Sequence, residues 1–485
     1  MKLFDLITEK EVLNPTENLG TIEISGVCCD TRTIKAGEAF FALAGVNSDG
    51  AKYARESAEK GAVCIVAEKH FAEAISVPTV IVRDVREAFA RACFAAAGDP
   101  QKKIKIIGVT GTNGKTTITN VIKKILSDAG KKCAMFTTVG YDVCGAFYPS
   151  THTTPPPEKL APLFAEAYAN GAEYAVMEVS SHAVAQKRIG ALSFDVGIFT
   201  NITRDHLDYH KTMEEYTRVK ASFFAYCKHA VINLDDERAH DIAAGAVGDV
   251  HFVSAKKDAE YKIENISIAP EGMSYTLCRE GEKTPISLAV AGDFNIYNTA
   301  EAAIACKILG IEEKDIVASL ADFGGVAGRM ETVAKNALPY TVIIDYAHTP
   351  DALIKALTAC RKITRGTLYC VFGCGGNRDR GKRFEMGDIA TRLADIAVIT
   401  SDNPRNEEPE SIIADIVSGV QDGRSNFVTI VSRKEAIEYT LENAKAGDVI
   451  LLAGKGHETY IIDKEGTHYF SEKDVVMNFT ERKEF

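Results

Sequence analysis

"IKIIGVTGTNGKTTITNVIKKILSDAG", Ile104 to Gly130, decides the fold of this chain. An apolar run, Ile104 to Val109, enters a glycine-rich turn. Beyond it Ile118, Val121, Ile122, Ile125 and Leu126 recur at helical spacing, and Gly130 is placed to cap the helix end. Strand, glycine-rich turn and helix together make an anion cradle, because backbone N–H groups and the positive end of the helix dipole face the ligand. Lys115 is placed to reach the outer phosphates of a nucleoside triphosphate, and Thr116 or Thr117 to hold magnesium through its hydroxyl. The usual spacing puts glycine at position 109; here that position is Val109, and the glycines are Gly108, Gly111 and Gly114.

Outward from this stretch, "AEYAVMEVS", "FDVGIFTNI" and "HAVINLD" are apolar strands spaced by helices, which predicts a mostly parallel sheet covered on both faces. Upstream, "GAVCIVAE" and "TVIVRDV" read as buried strands and "VREAFARACFAAA" as an amphipathic helix. "GDPQKK", Gly98 to Lys103, reads as a linker. A second seam falls at "GGVAGRMETV", after which "YTVIIDYA", "TLYCVFG", "IAVITSD", "FVTIV" and "DVILLAG" restart the alternation. Three α/β domains are expected, at residues 1–99, 100–332 and 333–485.

The formal charge is −11 over 485 residues, so no domain-wide attraction to nucleic acid or anionic lipid is expected. No run of about 18 apolar residues proposes a membrane span, and the N-terminus lacks the apolar core of a signal peptide. The 12 cysteines lie mostly within apolar stretches and read as buried reduced thiols, which points to the cytoplasm.

A phosphate loop needs a carboxylate at a neighbouring strand end to complete a magnesium shell. "YAVMEVSSH" offers Glu178, followed by Ser180 and His182. In "FTNITRDHLDYHKTMEEYTRVKASFF", His206 and His210 are four apart, so one helix face could carry both. A zinc pair is conceivable on spacing, but the His-Glu-x-x-His pattern is absent; at least His206 is expected to face the nucleotide.

"GTNGKTT", "MEVSSHAV", "NITRDHLDYH", "GDFNIYN", "GRMETV", "DYAHTPDAL" and "AGKGHETY" follow one another in a single order. The combination resembles the Mur ligase family of ATP-dependent amino-acid ligases, over nearly the whole chain. The resemblance implies an N-terminal α/β domain for a UDP-linked substrate, a central P-loop ATPase with a mostly parallel sheet, and a C-terminal Rossmann-like domain for the incoming amino acid.

It also implies roles. Gly111, Thr112, Asn113, Gly114, Lys115, Thr116 and Thr117 would bind ATP, with Asn298, Arg329, Asp345 and His348 from the interdomain side. Thr31 with Val46, Asn47 and Ser48 would line the uridine and pyrophosphate site. His152, Thr153, Thr154, Ser180, Gln186 and Arg188 would hold the muramoyl-dipeptide; His152 stands where some relatives carry asparagine. Lys220 matches a lysine that the family carries as an N-carboxylated side chain, which turns a cation into a long carboxylate able to bind magnesium. Lys115, Glu178, His206 and Lys220 would carry catalysis, and Thr116, Glu178, His206 and Lys220 the Mg2+.

"SDNPRNEEP", Ser401 to Pro409, is a loop beyond the strand "IAVIT". Read alone, Arg405 would be a surface partner of Glu407 or Glu408. The resemblance reads Asp402, Asn403, Pro404 and Arg405 as the motif of tripeptide synthetases that add meso-diaminopimelate to UDP-N-acetylmuramoyl-L-alanyl-D-glutamate. Arg405 would grip the distal carboxylate that L-lysine lacks, and Arg378, Gly454 and Glu458 would complete the pocket. The rival readings are an L-lysine-adding relative, a folylpolyglutamate synthetase, a P-loop switch or motor, and a non-catalytic nucleotide-binding module. A monomer is expected, with no nucleic acid or membrane partner.

Overall fold

The computed structural model describes residues 1–482 apart from 16, 17, 46–48, 73, 270, 271, 291, 335 and 336. Near the N-terminus, strands Gly26–Cys28, Glu38–Phe41, Cys64–Ala67 and Thr79–Ile81 pair in parallel and in chain order. Helix Val85–Ala96 follows, capped by the Asp84 carboxylate, which accepts from the Glu87 N–H. It buries Phe89 and Phe94, and Phe94 meets Phe164 edge-on at 5.6 Å. One apolar cluster runs from Leu3 to Ile242, so this first layer shares its core with the central sheet. Gly98–Lys103, expected as a linker, is a tight turn containing 3-10 helix Pro100–Lys102, with Pro100 and Gln101 buried.

The central sheet has eleven strands. Seven are parallel, in the order Tyr261–Ala269, Asp249–Ser254, Cys227–Asn233, Phe194–Phe199, Lys105–Thr110, Tyr174–Glu178 and Cys133–Phe136. Four of these, Lys105–Thr110, Tyr174–Glu178, Phe194–Phe199 and Cys227–Asn233, and their parallel pairing are anticipated from sequence; the other three are not, nor are the two antiparallel edges, Gly140–Val143 with Ala146–Pro149 and Gly272–Arg279 with Glu282–Leu288. Met273, Tyr275 and Leu277 are buried in alternation, the period of an antiparallel strand with one wet face. Helix Lys115–Asp128 buries Ile118, Val121, Ile122, Ile125 and Leu126, as its period requires. Gly130, at φ 74, ends it, and the Lys131 N–H donates back to the Leu126 carbonyl.

In the C-terminal sheet Thr341–Asp345, Val449–Ala453, Leu368–Phe372, Ile396–Ile399 and Phe427–Thr429 run parallel, with Glu331–Val333 antiparallel at one edge. Register pairs Asp345 and Phe372 with Ala453, and Phe372 with Ile399. The loops starting at Tyr346, Gly373, Thr400 and Gly454 therefore leave the sheet side by side at its carboxyl end, where open α/β sheets bind ligands. No helix among the described residues is long and apolar enough to cross a membrane, and all twelve cysteines are free.

Candidate active site

The phosphate loop leaves strand Lys105–Thr110 between the ends of Tyr174–Glu178 and Phe194–Phe199. Gly111 and Gly114, at φ 147 and 90, turn it where a Cβ would meet Thr200 Oγ1 at 2.0 Å and Asn298 Oδ1 at 2.5 Å. Val109, where the usual spacing has the first glycine, is the fifth residue of the strand and is fully buried. Lys115 Nζ donates to the carbonyls of Gly111 and Thr112, both at 2.9 Å. Burial pushes its ammonium below the usual range, opposed by Glu178 and Asp205.

Glu178 is 1% exposed. Its Oε1 accepts from Thr116 Oγ1 at 2.9 Å and the Thr138 N–H at 3.0 Å, and its Oε2 from Thr138 Oγ1 at 3.0 Å. The Thr116 hydroxyl in turn accepts from Arg329 Nη2 at 3.1 Å, and that guanidinium lies 4.5 Å from the Tyr346 ring centroid. Lys220 is buried, with Nζ donating to the Gly111 carbonyl at 3.0 Å and to Thr110 Oγ1 at 3.5 Å, beneath the Tyr216 ring. No carboxylate among the described residues pairs with it; burial and then the Lys115 charge push its ammonium well down.

His206 caps the four-residue helix Leu207–His210 from a left-handed conformation, with Nε2 3.3 Å from Asp205 Oδ2 and its ring 4.9 Å from that of His182. His210 is buried instead, its Nε2 2.8 Å from Ser181 Oγ. The His206 and His210 rings lie 4.9 and 5.6 Å from that of His182, and no group of three or more His, Cys, Asp or Glu among the described residues is arranged to hold a metal. The Thr116 hydroxyl and Glu178 carboxylate are hard oxygen donors in contact, a set that suits Mg2+. Lys220 fits that set only as a carbamate, since an ammonium would repel the ion.

Around this centre, Asn113 Nδ2 donates to Asp351 Oδ2 at 2.9 Å, and Thr112 Oγ1 lies 3.3 Å from Tyr216 OH. Thr116 and Thr117 are both buried, and it is the Thr116 hydroxyl that meets Glu178. Asn298 Nδ2 donates to Asn295 Oδ1. Asp345 accepts from the N–H groups of Met330 and Ala347 at 2.8 and 2.9 Å. His348 Nδ1 lies 2.8 Å from the Tyr346 carbonyl, and burial lowers its imidazole to about 4.

On the other side of Glu178, Thr154 Oγ1 donates to the Glu178 carbonyl at 2.9 Å and accepts from the Ser180 N–H at 3.0 Å. Arg188 donates to the Thr154 carbonyl and to Gln186 Oε1, and Gln186 Nε2 to Tyr209 OH. Thr153 Oγ1 lies 3.1 Å from Thr138 Oγ1, whereas His152 is exposed, with its carbonyl accepting from Tyr141 OH. Thr31 is nearly buried and its carbonyl accepts from Lys60 Nζ. Val46, Asn47 and Ser48 lie outside the described residues.

In the third cluster Arg405 Nη1 donates to the Gly376 carbonyl at 2.9 Å and forms no ion pair among the described residues. The expected surface pairing is not made: Glu407 is taken by Arg383 and Arg380, and Glu408 by Lys464. A Cβ on Gly375 would sit 2.9 Å from Arg405 Nη1 and 3.8 Å from Arg378 Cγ, so both arginines border that loop. Asn403 Nδ2 donates to Glu458 Oε2 at 2.9 Å. Asp402 and Glu458 both face the buried Lys455 ammonium, at 3.9 and 3.3 Å. A Cβ on Gly454 would meet Asp402 Oδ2 at 2.9 Å.

Thr138, Asp351 and Lys455 escape the sequence reading. Lys455 lies inside "AGKGHETY" and Asp351 inside "DYAHTPDAL", whereas Thr138 belongs to none of the quoted motifs.

Family descriptions match in three blocks: "Mur ligase family, catalytic domain" over residues 23–97, "Mur ligase middle domain" over 109–306 and "Mur ligase, glutamate ligase domain" over 328–456. A curated relative from Geobacillus thermodenitrificans, named UDP-N-acetylmuramoyl-L-alanyl-D-glutamate–2,6-diaminopimelate ligase, is 41% identical over 465 residues, 94% of each chain. One of the same name from Clostridium tetani is 40% identical over 99% of each. A solved structure with that name superposes at TM-score 0.71 with 31% identity, over 97% of both chains. A folylpolyglutamate synthase structure from Mycobacterium tuberculosis shares the fold at TM-score 0.62 and 18% identity but spans only 75% of this chain.

Proposed function

The chain belongs to the Mur ligase family, and from that premise we propose that it joins meso-diaminopimelate to UDP-N-acetylmuramoyl-L-alanyl-D-glutamate in peptidoglycan precursor synthesis, with cleavage of ATP to ADP and phosphate. The γ-phosphoryl group passes to the side-chain carboxylate of D-glutamate and ADP leaves. The amine of diaminopimelate then attacks the acyl carbon, phosphate departs and the nitrogen loses a proton, leaving an amide.

Both partners of the first step are anions, so the chain must offset their repulsion and hold them in line. Lys115, released from the Gly111 and Thr112 carbonyls, is the cation placed to meet the γ-phosphate. Thr116 and Glu178 would hold Mg2+, which supplies further charge neutralisation at the phosphates; His206 and an N-carboxylated Lys220 complete that reading. Asn113, Asn298, Arg329, Asp345 and His348 would surround the rest of ATP. The hydrogen-bonded group Thr153, Thr154, Ser180, Gln186 and Arg188 would hold the muramoyl-dipeptide, with His152, Thr31 and Val46–Asn47–Ser48 toward the UDP end. Water would hydrolyse an acyl phosphate, so contacts from the last third of the chain onto the phosphate loop suit the chemistry. The reading places the enzyme in the cytoplasm as a monomer.

The observation that carries the acceptor's identity is Arg405, a guanidinium left without an ion pair among the described residues although two glutamates follow it within three residues. A second carboxylate on the incoming amino acid can take it through two parallel hydrogen bonds. L-Lysine would bring a cation to the same place. Phosphate release from ATP is the test, with UDP-muramoyl-dipeptide present and meso-diaminopimelate or L-lysine added separately. Release dependent on diaminopimelate is expected. Release without either amino acid would sink the ligase reading, and equal turnover of both would sink the specificity.

A further inference from the structure

Arg383 is among the largest side chains of the described residues with no exposure at all, and it sits between the loop that follows Leu368–Phe372 and the loop that follows Ile396–Ile399. Its guanidinium grips Glu407 through two parallel bonds, Nη1 to Oε2 and Nη2 to Oε1, both 2.9 Å. Nη1 also reaches Asp415 Oδ2 at 2.9 Å, and Nη2 the Gly375 carbonyl at 3.3 Å. Glu407 accepts in addition from the Asn377 N–H and from Arg380 Nη2. These charges hold its carboxyl down to about 2. Glu407 thus ties the loop bearing Arg378 to the loop bearing Arg405.

The tie is close. The Gly376 N–H donates to the Asn403 carbonyl at 2.9 Å, and a Cβ on Gly376 would lie 1.9 Å from the Pro404 carbonyl oxygen. Glu407 is two residues from Arg405, so it is the carboxylate best placed in sequence to neutralise that arginine. It does not, because every donor it meets among the described residues belongs to Arg383, Arg380 or Asn377.

We propose that Arg383 is a positioning residue for acceptor specificity: by sequestering Glu407 it leaves the Arg405 guanidinium open to the distal carboxylate of the incoming amino acid. Without the clamp, the flexible glutamate competes with substrate for Arg405. The inference rests on the reading of the chain as a diaminopimelate-adding ligase.

The test compares Arg383→Lys, which keeps the charge but loses the bidentate grip, with Arg383→Lys combined with Glu407→Gln. The expected result is a KM for meso-diaminopimelate raised about tenfold in the single variant, with KM for ATP and for the UDP-substrate within twofold. The double variant should recover most of that loss, because glutamine cannot neutralise Arg405. A merely structural role predicts the opposite, a double variant as poor as the single or poorer, and that outcome overturns the proposal. Should the buried substitution abolish the cooperative thermal transition, Glu407→Asp replaces it. One methylene shorter and at the loop rim, it should raise KM for diaminopimelate alone; unchanged KM values for all three substrates overturn the proposal. Wild-type protein that turns over no diaminopimelate refutes the underlying reading, whereas active wild type with unaffected variants refutes only the clamp.

Discussion

Arg329 Nη2 donates to Thr116 Oγ1 at 3.1 Å across 213 residues of chain, bringing the start of the C-terminal sheet onto the phosphate loop. The same hydroxyl donates to Glu178, so one threonine links a guanidinium to a buried carboxylate. Arg329→Ala should raise KM for ATP about ten- to a hundredfold, the range of a charge-assisted hydrogen bond. KM for diaminopimelate should hold. Steady-state kinetics with each substrate varied in turn decides it, and an ATP KM within twofold of wild type contradicts the role.

Arg405→Ala should lower kcat/KM for meso-diaminopimelate by at least about a hundredfold, as expected when one partner of a desolvated charge pair is removed. Binding of the UDP-substrate, measured by titration calorimetry, should be unchanged. Arg405 stands on a left-handed backbone at φ 54 and its N–H donates to the Ile462 carbonyl, so the backbone tie survives the substitution. Unaltered diaminopimelate kinetics would remove Arg405 from the pocket.

Lys220 carries a third prediction. A buried amine with no carboxylate partner among the described residues is suited to react with carbon dioxide, giving a carbamate and a proton. Protein equilibrated with 13C-bicarbonate should show a carbamate carbon resonance that Lys220→Ala lacks. Activity should fall in carbon-dioxide-depleted buffer and return when bicarbonate is added. Full activity in depleted buffer together with no resonance contradicts the modification.

The phosphate loop was legible because its signal is local: an apolar strand, glycines at the turn and a 3.6-residue apolar period lie within Ile104–Gly130. The five parallel strands of the C-terminal sheet were legible for the same reason, as short apolar runs between helices. The edge hairpin at Gly140–Pro149 was not, since its last strand, Ala146–Pro149, is largely exposed and reads as loop. Site residues divide likewise. Lys115 and Glu178 announce themselves by motif, but Thr138 acts on Glu178 from 40 residues away and Asp351 on Asn113 from 238. Arg383 could be seen as a charge in "GGNRDRGKR", yet nothing in that string says it is buried or that it holds Glu407.

Glu301 lies on helix Phe294–Ile308, fully buried, with neither carboxylate oxygen hydrogen-bonded among the described residues. Burial raises its carboxyl well above the usual range, so the folded protein holds it protonated where the unfolded chain, near about 4.3, would ionise. The sign follows from linkage: its favourable contribution is complete below the unfolded value and is lost as pH rises through the folded one. Glu301→Gln removes that titration and leaves only a constant offset, while all other groups cancel in the difference. Urea unfolding of both proteins at pH 5, 6 and 7 should therefore show the variant gaining on wild type by up to about 1.4 kcal/mol per pH unit. A difference that stays flat across that range would mean that Glu301 ionises in the folded protein as readily as in the unfolded chain.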